Sequence, residues 1–233
     1  MHRPPKNMRA TNFLTQGFIY FLFIVFSQLS FGQNDPVARG ILDKAADKAN
    51  KLKSMEVTFN YTNTNVKTNA VEKDKGSLKI KGDKYHLSIP GSEIYFDGKD
   101  VYNYTPASNE VNITKPEPAK RENGDFYYTN PKDIFKIQSK DFLAKLVQEK
   151  TFNNVQSYEI DLYPVDLKTK YTRVRIYIAK ASLEIVSVHV FLKEGINYEI
   201  DFSNYKTNVD IPDSEFVFDS KKYKNIVVND LRF

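Results

Sequence analysis

The chain of 233 residues contains no cysteine and no tryptophan. Without cysteine it cannot build a disulfide framework, a thiol nucleophile, an iron–sulfur cluster or a Cys-based zinc site. A lipid anchor attached to a cysteine is excluded for the same reason. Aromatic surface comes instead from 15 Tyr and 17 Phe, so we expect these two residue types to supply much of the buried area.

Long runs of like charge are also missing. The formal net charge is +5, but the first 32 residues hold Arg3, Lys6 and Arg9 and no acid, so the rest of the chain carries +2. In that rest, Lys alternates with Asp and Glu, without the run of about five or six like charges that marks a nucleic-acid-binding patch. The sequence therefore predicts no nucleic-acid partner.

The N-terminus has the pattern of an export signal. A basic start is followed by an apolar stretch whose uninterrupted core, Phe18 to Phe26, has nine residues, whereas a membrane-spanning helix needs about 20. Small residues at Ser30 and Gly32 suit cleavage before Gln33. A permanent membrane anchor is the alternative. We predict that residues 1–32 form a signal peptide and that the mature protein is periplasmic.

Residues 33–233 fit a single domain, because large β proteins commonly reach this length undivided. The domain begins with a predicted helix from Asp35 to Leu52, in which apolar residues recur at three- and four-residue spacing. Asn34 or Asp35 can cap this helix, and Pro36 suits its first turn. Such an amphipathic helix needs a partner surface.

After Ser54 the apolar residues recur at every second position, which predicts strands. Gly82-Asp83 marks a turn or bulge between two strands, and Asp97-Gly98 predicts a two-residue hairpin. A strand is also predicted for 142–152, ending at the turn Asn153-Asn154. Between Tyr158 and Phe202 four consecutive strands alternate an apolar with a polar face, and their short connections exclude parallel βαβ units.

The apolar face can be the core of a β-sandwich or the lining of a cavity. We favour a cavity, because a single curved antiparallel sheet with few helices cannot fill its interior with side chains alone. Lipid suits such a lining, since each buried methylene contributes about 0.8 kcal/mol. The predicted lining is Leu78, Ile80, Leu87, Ile89, Ile94, Phe96, Tyr158, Ile160, Leu162, Val174, Ile176, Val188, Val190, Tyr198 and Ile200.

Two helices are predicted to cover this cavity as a lid. The first is the Asp35–Leu52 helix, and the second is a short helix that starts at Asn130-Pro131 and runs through Ile137. Their apolar residues are expected to face the sheet. The predicted lid residues are Val37, Ile41, Ala45, Ile134 and Phe135.

Catalytic and metal-binding patterns are absent from the sequence. His86 and His189 lie in predicted strands, without a second ligand at metal spacing, and are expected at the surface. Glu159 and Asp161 are interpreted as solvent-face alternation. There is no Gly-x-Ser-x-Gly elbow, phosphate loop or Gly-x-Gly-x-x-Gly motif. The sequence therefore predicts a protein that is not an enzyme and uses neither cofactor nor metal.

Several short motifs resemble the LolA family of outer-membrane lipoprotein carriers. They include Gly76-Ser-Leu-Lys-Ile-Lys followed by Tyr85, and Ile94-Tyr-Phe-Asp-Gly-Lys-Asp-Val-Tyr-Asn-Tyr-Thr-Pro106. The helix and strand between Ile41 and Tyr61 match in type and order, as do Tyr198-x-Ile-x-Phe202, Asn208 and Phe216-x-Phe218. The likeness covers nearly all of the chain after residue 32, and the stretch from Asp97 to Pro106 is its most specific part.

The resemblance implies an incomplete β-barrel with a helical lid over a hydrophobic cavity. It further implies a monomeric periplasmic carrier that takes lipoprotein acyl chains from an inner-membrane releasing transporter to an outer-membrane acceptor. The alternative is a lipid-binding or lipoprotein-sensing module on the same fold. One departure concerns the lid: family members carry a basic residue before a Pro that helps to hold it, whereas this chain has Lys81-Gly82-Asp83 at that place.

Overall fold

The computed structural model describes residues 34–116, 131–135 and 141–232. The predicted signal peptide lies outside these ranges, as do Asn130 and Ile137. Within them the chain forms one α-helix and twelve strands, with 3₁₀ helices at Pro131–Phe135, Asp213–Phe216 and Ser220–Lys222. The elements are α1 (Pro36–Lys51), β1 (Ser54–Asn65), β2 (Ala70–Lys81), β3 (Lys84–Ile89), β4 (Ser92–Phe96), β5 (Val101–Thr105), β6 (Glu110–Thr114), β7 (Phe142–Phe152), β8 (Val155–Pro164), β9 (Tyr171–Ala179), β10 (Ile185–Leu192), β11 (Ile196–Thr207) and β12 (Val227–Asp230).

All twelve strands belong to one sheet, in the order β12-β6-β5-β4-β3-β2-β1-β11-β10-β9-β8-β7. Its two edge strands, β12 and β7, do not pair with each other, so the sheet is unclosed. The predicted fold class, a mainly β α+β protein with an incomplete antiparallel barrel and a helical cover, is confirmed. The sandwich alternative is wrong for the described residues, because it requires a second sheet. Strand β12, which the sequence did not predict, pairs with β6 in parallel.

Turn residues behave largely as their chemistry requires. Gly82 adopts a φ of +57° in the two-residue turn between β2 and β3, a conformation that glycine adopts without strain. Asn153 and Asn154 have φ of 46° and 63° in the predicted hairpin turn. The two-residue turn at Asp97-Gly98 was wrong, because Phe96 pairs with Val101 and leaves a four-residue loop. In that loop Asp97 Oδ1 accepts the amides of Lys99 and Asp100.

Pairing registers place the predicted lining on one face of the sheet, here called the inner face. Val57 pairs with Leu78 and Leu78 with Leu87, and the same face continues through Ile200 opposite Val188. The apolar alternation from Tyr158 to Phe202 would also place Val186 on this face. A register shift between Ile185 and Ser187 instead turns Val186 to the outer face, where it packs with Tyr177 and Ala179.

Helix α1 crosses the inner face. Asp35 is its N-cap and accepts the amides of Val37 at 2.8 Å and Ala38 at 3.3 Å through Oδ1. Ile41 and Ala45 are buried, as are Ala38 and Leu42. Val37 was wrongly predicted to cover the sheet: its side chain is 58% exposed, because the helix turns the stripe that contains residue 38 toward the sheet, about 100° away.

The segment after β11 packs on the outer face of β4 and β5. Phe216 is fully buried, and Phe218 stacks on Tyr223 at 5.1 Å. The carboxylate of Asp213 accepts hydrogen bonds from Lys81 Nζ at 2.9 Å and from Lys84 Nζ at 2.6 Å. These bonds lower the pKa of Asp213 to about 2. The motif Phe216-x-Phe218 and the ion pairs of Asp213 therefore anchor the C-terminal segment to the sheet.

Candidate functional site

The inner face forms one hydrophobic cluster that contains all fifteen residues of the predicted lining. The cluster has two parts that differ in burial. Seven of the fifteen are fully buried: Leu78, Ile160, Leu162, Val174, Ile176, Val188 and Val190. The other eight are partly exposed: Ile80, Leu87, Ile89, Ile94, Phe96, Tyr158, Tyr198 and Ile200. We call these eight the half-buried strip; seven of them lie on β2, β3, β4 and β11, and Tyr158 lies apart from them on β8. Their binding role stays a prediction.

Aromatic side chains connect the sheet to its cover. The rings of Phe59 on β1 and Phe202 on β11 lie 6.0 Å apart, edge to face. Phe202 also meets Phe135 of the 3₁₀ helix at 5.5 Å, and Ile134 beside it is buried. Sequence alternation had indicated Phe59 and Phe202 on this face but did not single them out as the contact between lid and sheet.

A lysine fastens the 3₁₀ helix to the sheet. Lys132 is 8% exposed, and its Nζ donates to the carbonyl oxygen of Gly82 at 2.5 Å and to Asp83 Oδ1 at 3.1 Å. The turn at Gly82-Asp83 is thus bound to the cover by a lysine of the cover. This contact could not be read from the sequence, because Lys132 and Gly82 are 50 positions apart.

One small cleft lies between the cover and the sheet in the described part of the chain. A cleft of about 30 Å³ lies between the C-terminal half of α1 and the adjoining strand ends, lined by Leu52, Met55, Phe135 and Tyr205 among others. That volume accommodates about one water molecule, whereas pockets for drug-sized ligands measure about 300–1,000 Å³. This cleft is therefore too small for an acyl chain, and the half-buried strip is the larger apolar surface.

Asp35 joins α1 to the edge of the sheet. Its Oδ2 accepts the amide of Leu146 at 3.0 Å and its own amide donates to the carbonyl of Ala144 at 3.0 Å, so one residue caps the helix and occupies the open edge of β7. The bond from Leu146 is the largest cause that lowers the pKa of Asp35; burial opposes it, and the amides of Ala38 and Val37 lower the pKa further.

Replacing Asp35 with Ala should lower the free energy of unfolding by about 1–3 kcal/mol, because amides at the helix start and at the strand edge lose their acceptor. Asp35→Asn keeps one oxygen and should cost less. Since the folded-state pKa is depressed, the ionised carboxylate contributes stability above its unfolded pKa of about 3.9 and loses it as the pH falls through the lower folded value. Urea unfolding at pH 7 and pH 3 measures this. Unchanged amide exchange at Leu146 in Asp35→Ala would contradict the role.

The outer face of β7–β9 carries a buried ionic cluster. Glu159 and Asp161 were predicted to face solvent, but they are only 1% and 3% exposed. Arg175 covers both, with Nη1 2.6 Å from Glu159 Oε1 and Nε 2.7 Å from Asp161 Oδ1. Lys150 and Gln148 complete the contacts of Glu159, at 3.2 Å and 2.9 Å. The alternation was correct, but long neighbouring side chains exclude the solvent.

The two histidines of the described residues also lie on the outer face. Both were expected at the surface, yet their side chains are only 18% and 14% exposed. His86 stacks on Tyr95 at 4.0 Å and its Nε2 lies 2.6 Å from Glu93. Burial is the main cause that lowers the pKa of His189. Over the described ranges, no three His, Asp or Glu side chains converge as a metal site would need.

An unclosed sheet with one continuous apolar inner face, covered by a helix and a 3₁₀ helix, is an open half-barrel. The sequence model of the family described as outer membrane lipoprotein carrier protein LolA matches residues 50–219, and the chain belongs to this family. Proteins of the LolA superfamily are carriers or binding proteins. None of the helices in the described part of the chain has both the length and the apolar character that crossing a membrane requires.

Comparisons with individual proteins find similarity at low sequence identity. The structure of an uncharacterised conserved protein from Thermus thermophilus superposes with a TM-score of 0.55 at 12% identity, over 84% of this chain and 99% of that chain. A LolA superfamily protein from Nitrosomonas europaea gives 0.38 at 16% identity, over 78% and 97%. An uncharacterised protein of Methanocaldococcus jannaschii is 24% identical over 178 residues, and the chain spans 50% of its length.

Proposed function

We propose that this protein is a periplasmic carrier that binds the acyl chains of lipoproteins on its inner face and moves them from the inner to the outer membrane. The observation that supports the proposal is the half-buried strip, an apolar surface beside a cover that fills the rest of the face. The carrier would act as a monomer without catalysis or cofactor. It would receive its cargo from an inner-membrane releasing transporter and deliver it to an outer-membrane acceptor.

Binding energies agree with a strip that covers its ligand incompletely. Two acyl chains of about ten methylenes each would contribute about 16 kcal/mol if fully buried, which corresponds to picomolar binding and hinders release. Half coverage contributes about 8 kcal/mol, equivalent to about 1 μM. The partial exposure of residues such as Leu87 and Ile200 therefore suits a protein that must also let go of its cargo.

A lipid-binding or lipoprotein-sensing module is the second candidate. It is favoured by the fastening of the 3₁₀ helix to the turn at Gly82-Asp83 through Lys132. A sensor needs a cover that stays closed until a ligand displaces it. The cleft of about 30 Å³ is consistent with such a closed state.

Co-purification separates the two candidates. The mature chain is isolated from the periplasm of its native cell, and bound molecules are identified by mass spectrometry. Lipoproteins are expected for the carrier. Glycolipid or phospholipid, or one stable signalling partner, would support the second candidate instead, and consistent recovery of neither an acylated molecule nor a stable partner would refute both.

A variant pair tests the strip itself. Leu87→Glu and Ile200→Glu each place a charge on the half-buried strip, where desolvating it opposes lipid, and should weaken binding of a fluorescent fatty acid at least about tenfold. Val228→Glu, on a β12 side chain that is 50% exposed, is the matched control and should leave binding unchanged. Circular dichroism verifies folding. Equal affinity in all three variants would place the lipid elsewhere.

A further inference from the structure

One end of the sheet presents three loops that are hydrogen-bonded into a single surface. They are residues 66–69 between β1 and β2, 165–170 between β8 and β9, and 193–195 between β10 and β11; we call them the loop rim. The amide of Val66 donates to the carbonyl oxygen of Gly195 at 2.8 Å, and the amide of Lys193 donates to the carbonyl oxygen of Lys170 at 2.9 Å. Nζ of Lys193 also reaches the carbonyl oxygen of Leu167 at 2.5 Å.

Apolar side chains of the loop rim point into solvent. Leu167 is 79% exposed, Val165 57% and Val66 53%. Two hydrogen bonds hold the turn that presents Leu167. The amide of Lys168 donates to Asp166 Oδ1 at 2.9 Å, and the amide of Thr169 donates to the carbonyl oxygen of Asp166 at 3.4 Å. Exposed aliphatic side chains that are gathered on joined loops, and not scattered singly over the surface, are typical of an interaction site.

Lysines surround these apolar tips. Lys67, Lys168, Lys170 and Lys193 are exposed, against two acids, Asp166 and Glu194, so the loop rim carries +2. The carboxylate of Asp166 is also engaged by the turn described above. The loop rim therefore complements a negatively charged partner, and its exposed apolar side chains are surrounded by positive charge.

The composition of the loop rim distinguishes a membrane from a protein partner. Its three loops contain no aromatic residue, Met or Arg, the types enriched in protein interfaces, and they are rich in Lys, which those interfaces deplete. A bilayer surface accepts the opposite combination: short aliphatic side chains enter the headgroup boundary, and Lys stems lie along it with their ammonium groups near anionic lipid.

We propose that the loop rim docks on an anionic phospholipid bilayer, with Leu167 and Val165 inserted and the four lysines at the headgroups. This docking goes beyond the carriage of acyl chains and does not depend on it. A membrane contact at one end of the sheet would hold the protein at the surface where lipids are exchanged.

The test is co-sedimentation of the mature protein with vesicles of phosphatidylcholine that contain about 30% phosphatidylglycerol as the anionic lipid. Wild type should bind these vesicles and bind neutral or high-salt samples much less. Leu167→Asp and the double variant Lys67→Glu/Lys168→Glu should each bind about tenfold more weakly. Binding of a soluble fluorescent fatty acid should stay the same, which separates this proposal from the proposed function.

Matched controls come from the opposite end of the sheet. Leu231 is 51% exposed and follows β12 at that end, so Leu231→Asp repeats the apolar-to-acidic change away from the rim. Lys53→Glu/Lys99→Glu repeats the charge reversal on exposed lysines there. Both controls should bind like wild type. No vesicle binding by wild type, an equal loss in the controls, or binding only of a co-purified protein through the rim would overturn the proposal.

Discussion

Gly76→Val is expected to lower the free energy of unfolding by about 3 kcal/mol or more. A Cβ at position 76 would overlap the ring of Phe59 and lie 2.6 Å from the carbonyl oxygen of Ser88. The ring could turn aside, but the backbone oxygen belongs to β3 and cannot move without separating the strands. The cost therefore combines overpacking with the loss of strand pairing.

The ring that occupies this space has a further contact. Phe59 meets Phe202, and Phe202 meets Phe135 of the 3₁₀ helix. Glycine at position 76 thus leaves room for the aromatic contact that joins the sheet to its cover. Gly76→Val should consequently increase amide exchange in the 131–135 segment as well as reduce global stability.

Gly40→Ala is the control for this substitution. Gly40 lies within α1, and an added Cβ there meets nothing within 4 Å. The change should raise the free energy of unfolding by about 0.5–1 kcal/mol, since alanine restricts the unfolded chain and favours helix. Urea unfolding followed by circular dichroism measures both variants. A Gly76→Val protein as stable as wild type would show that the strands tolerate the side chain and would contradict the role given to the glycine.

Arg175→Met should lower the free energy of unfolding by about 3–5 kcal/mol, because it leaves buried carboxylates without their main cation. The guanidinium holds Asp161 through bonds of 2.7 Å and 3.0 Å and Glu159 through one of 2.6 Å. Methionine fills much of the volume, so the loss reports charge and not a cavity. Unfolding in urea at pH 7 is the measurement.

Arg173→Met is the matched control. Arg173 makes a single contact of 3.2 Å with Asp161, and its guanidinium also lies 4.2 Å from the ring centre of Phe191. The substitution should cost about 1 kcal/mol, since Asp161 keeps both bonds from Arg175. If the two variants lose equal stability, the position of Arg175 between both carboxylates is not what matters.

The stability of Arg175→Met should depend less on pH in the acidic range than that of wild type. Burial alone would raise the pKa of Glu159, but hydrogen bonds from Gln148 and Lys150 and the charge of Arg175 outweigh it and lower the pKa below 4.5. Wild-type Glu159 therefore contributes stability above pH 4.5 that is lost as the pH falls through the folded value. Without the charge of Arg175 one cause of the lowered pKa of Glu159 is gone while burial and the contacts of Lys150 and Gln148 remain, so protonation of Glu159 should cost the variant less stability than it costs wild type. The stability difference should shrink from pH 7 to pH 4.

Local pattern was sufficient to predict most of the inner face. Alternation placed Leu78, Ile160 and Val188 on one side, and pairing confirms it, because side chains of a regular strand point to opposite faces with a period of two. The Asp35 cap and the Gly82 turn were also local properties. Val186 shows where this reasoning ends: a bulge moves a residue to the other face, and nothing in the sequence marks it.

Burial of polar groups could not be predicted in the same way. Glu159 and Asp161 alternate as a solvent face does, and their burial depends on Arg175, 14 or more positions away along the chain. The burial of side chains in the cover could not be predicted either, since Val37 is apolar yet exposed and Lys132 is charged yet buried. Which side chain meets which depends on how the helix lies across the sheet, and this is a property of packing.

The residue types that are missing and the alternation of apolar with polar residues were enough to predict a mainly antiparallel sheet without disulfides. They also predicted that one face of this sheet is apolar and that an amphipathic helix accompanies it. These follow from covalent geometry and residue type, which act over a few positions. Tertiary structure alone decided that β7 and β12 form the two open edges, that the cover leaves a half-buried strip, and that three distant loops meet at one rim. Contacts between residues far apart in the chain exist only once the sheet has formed and its strand order brings them together.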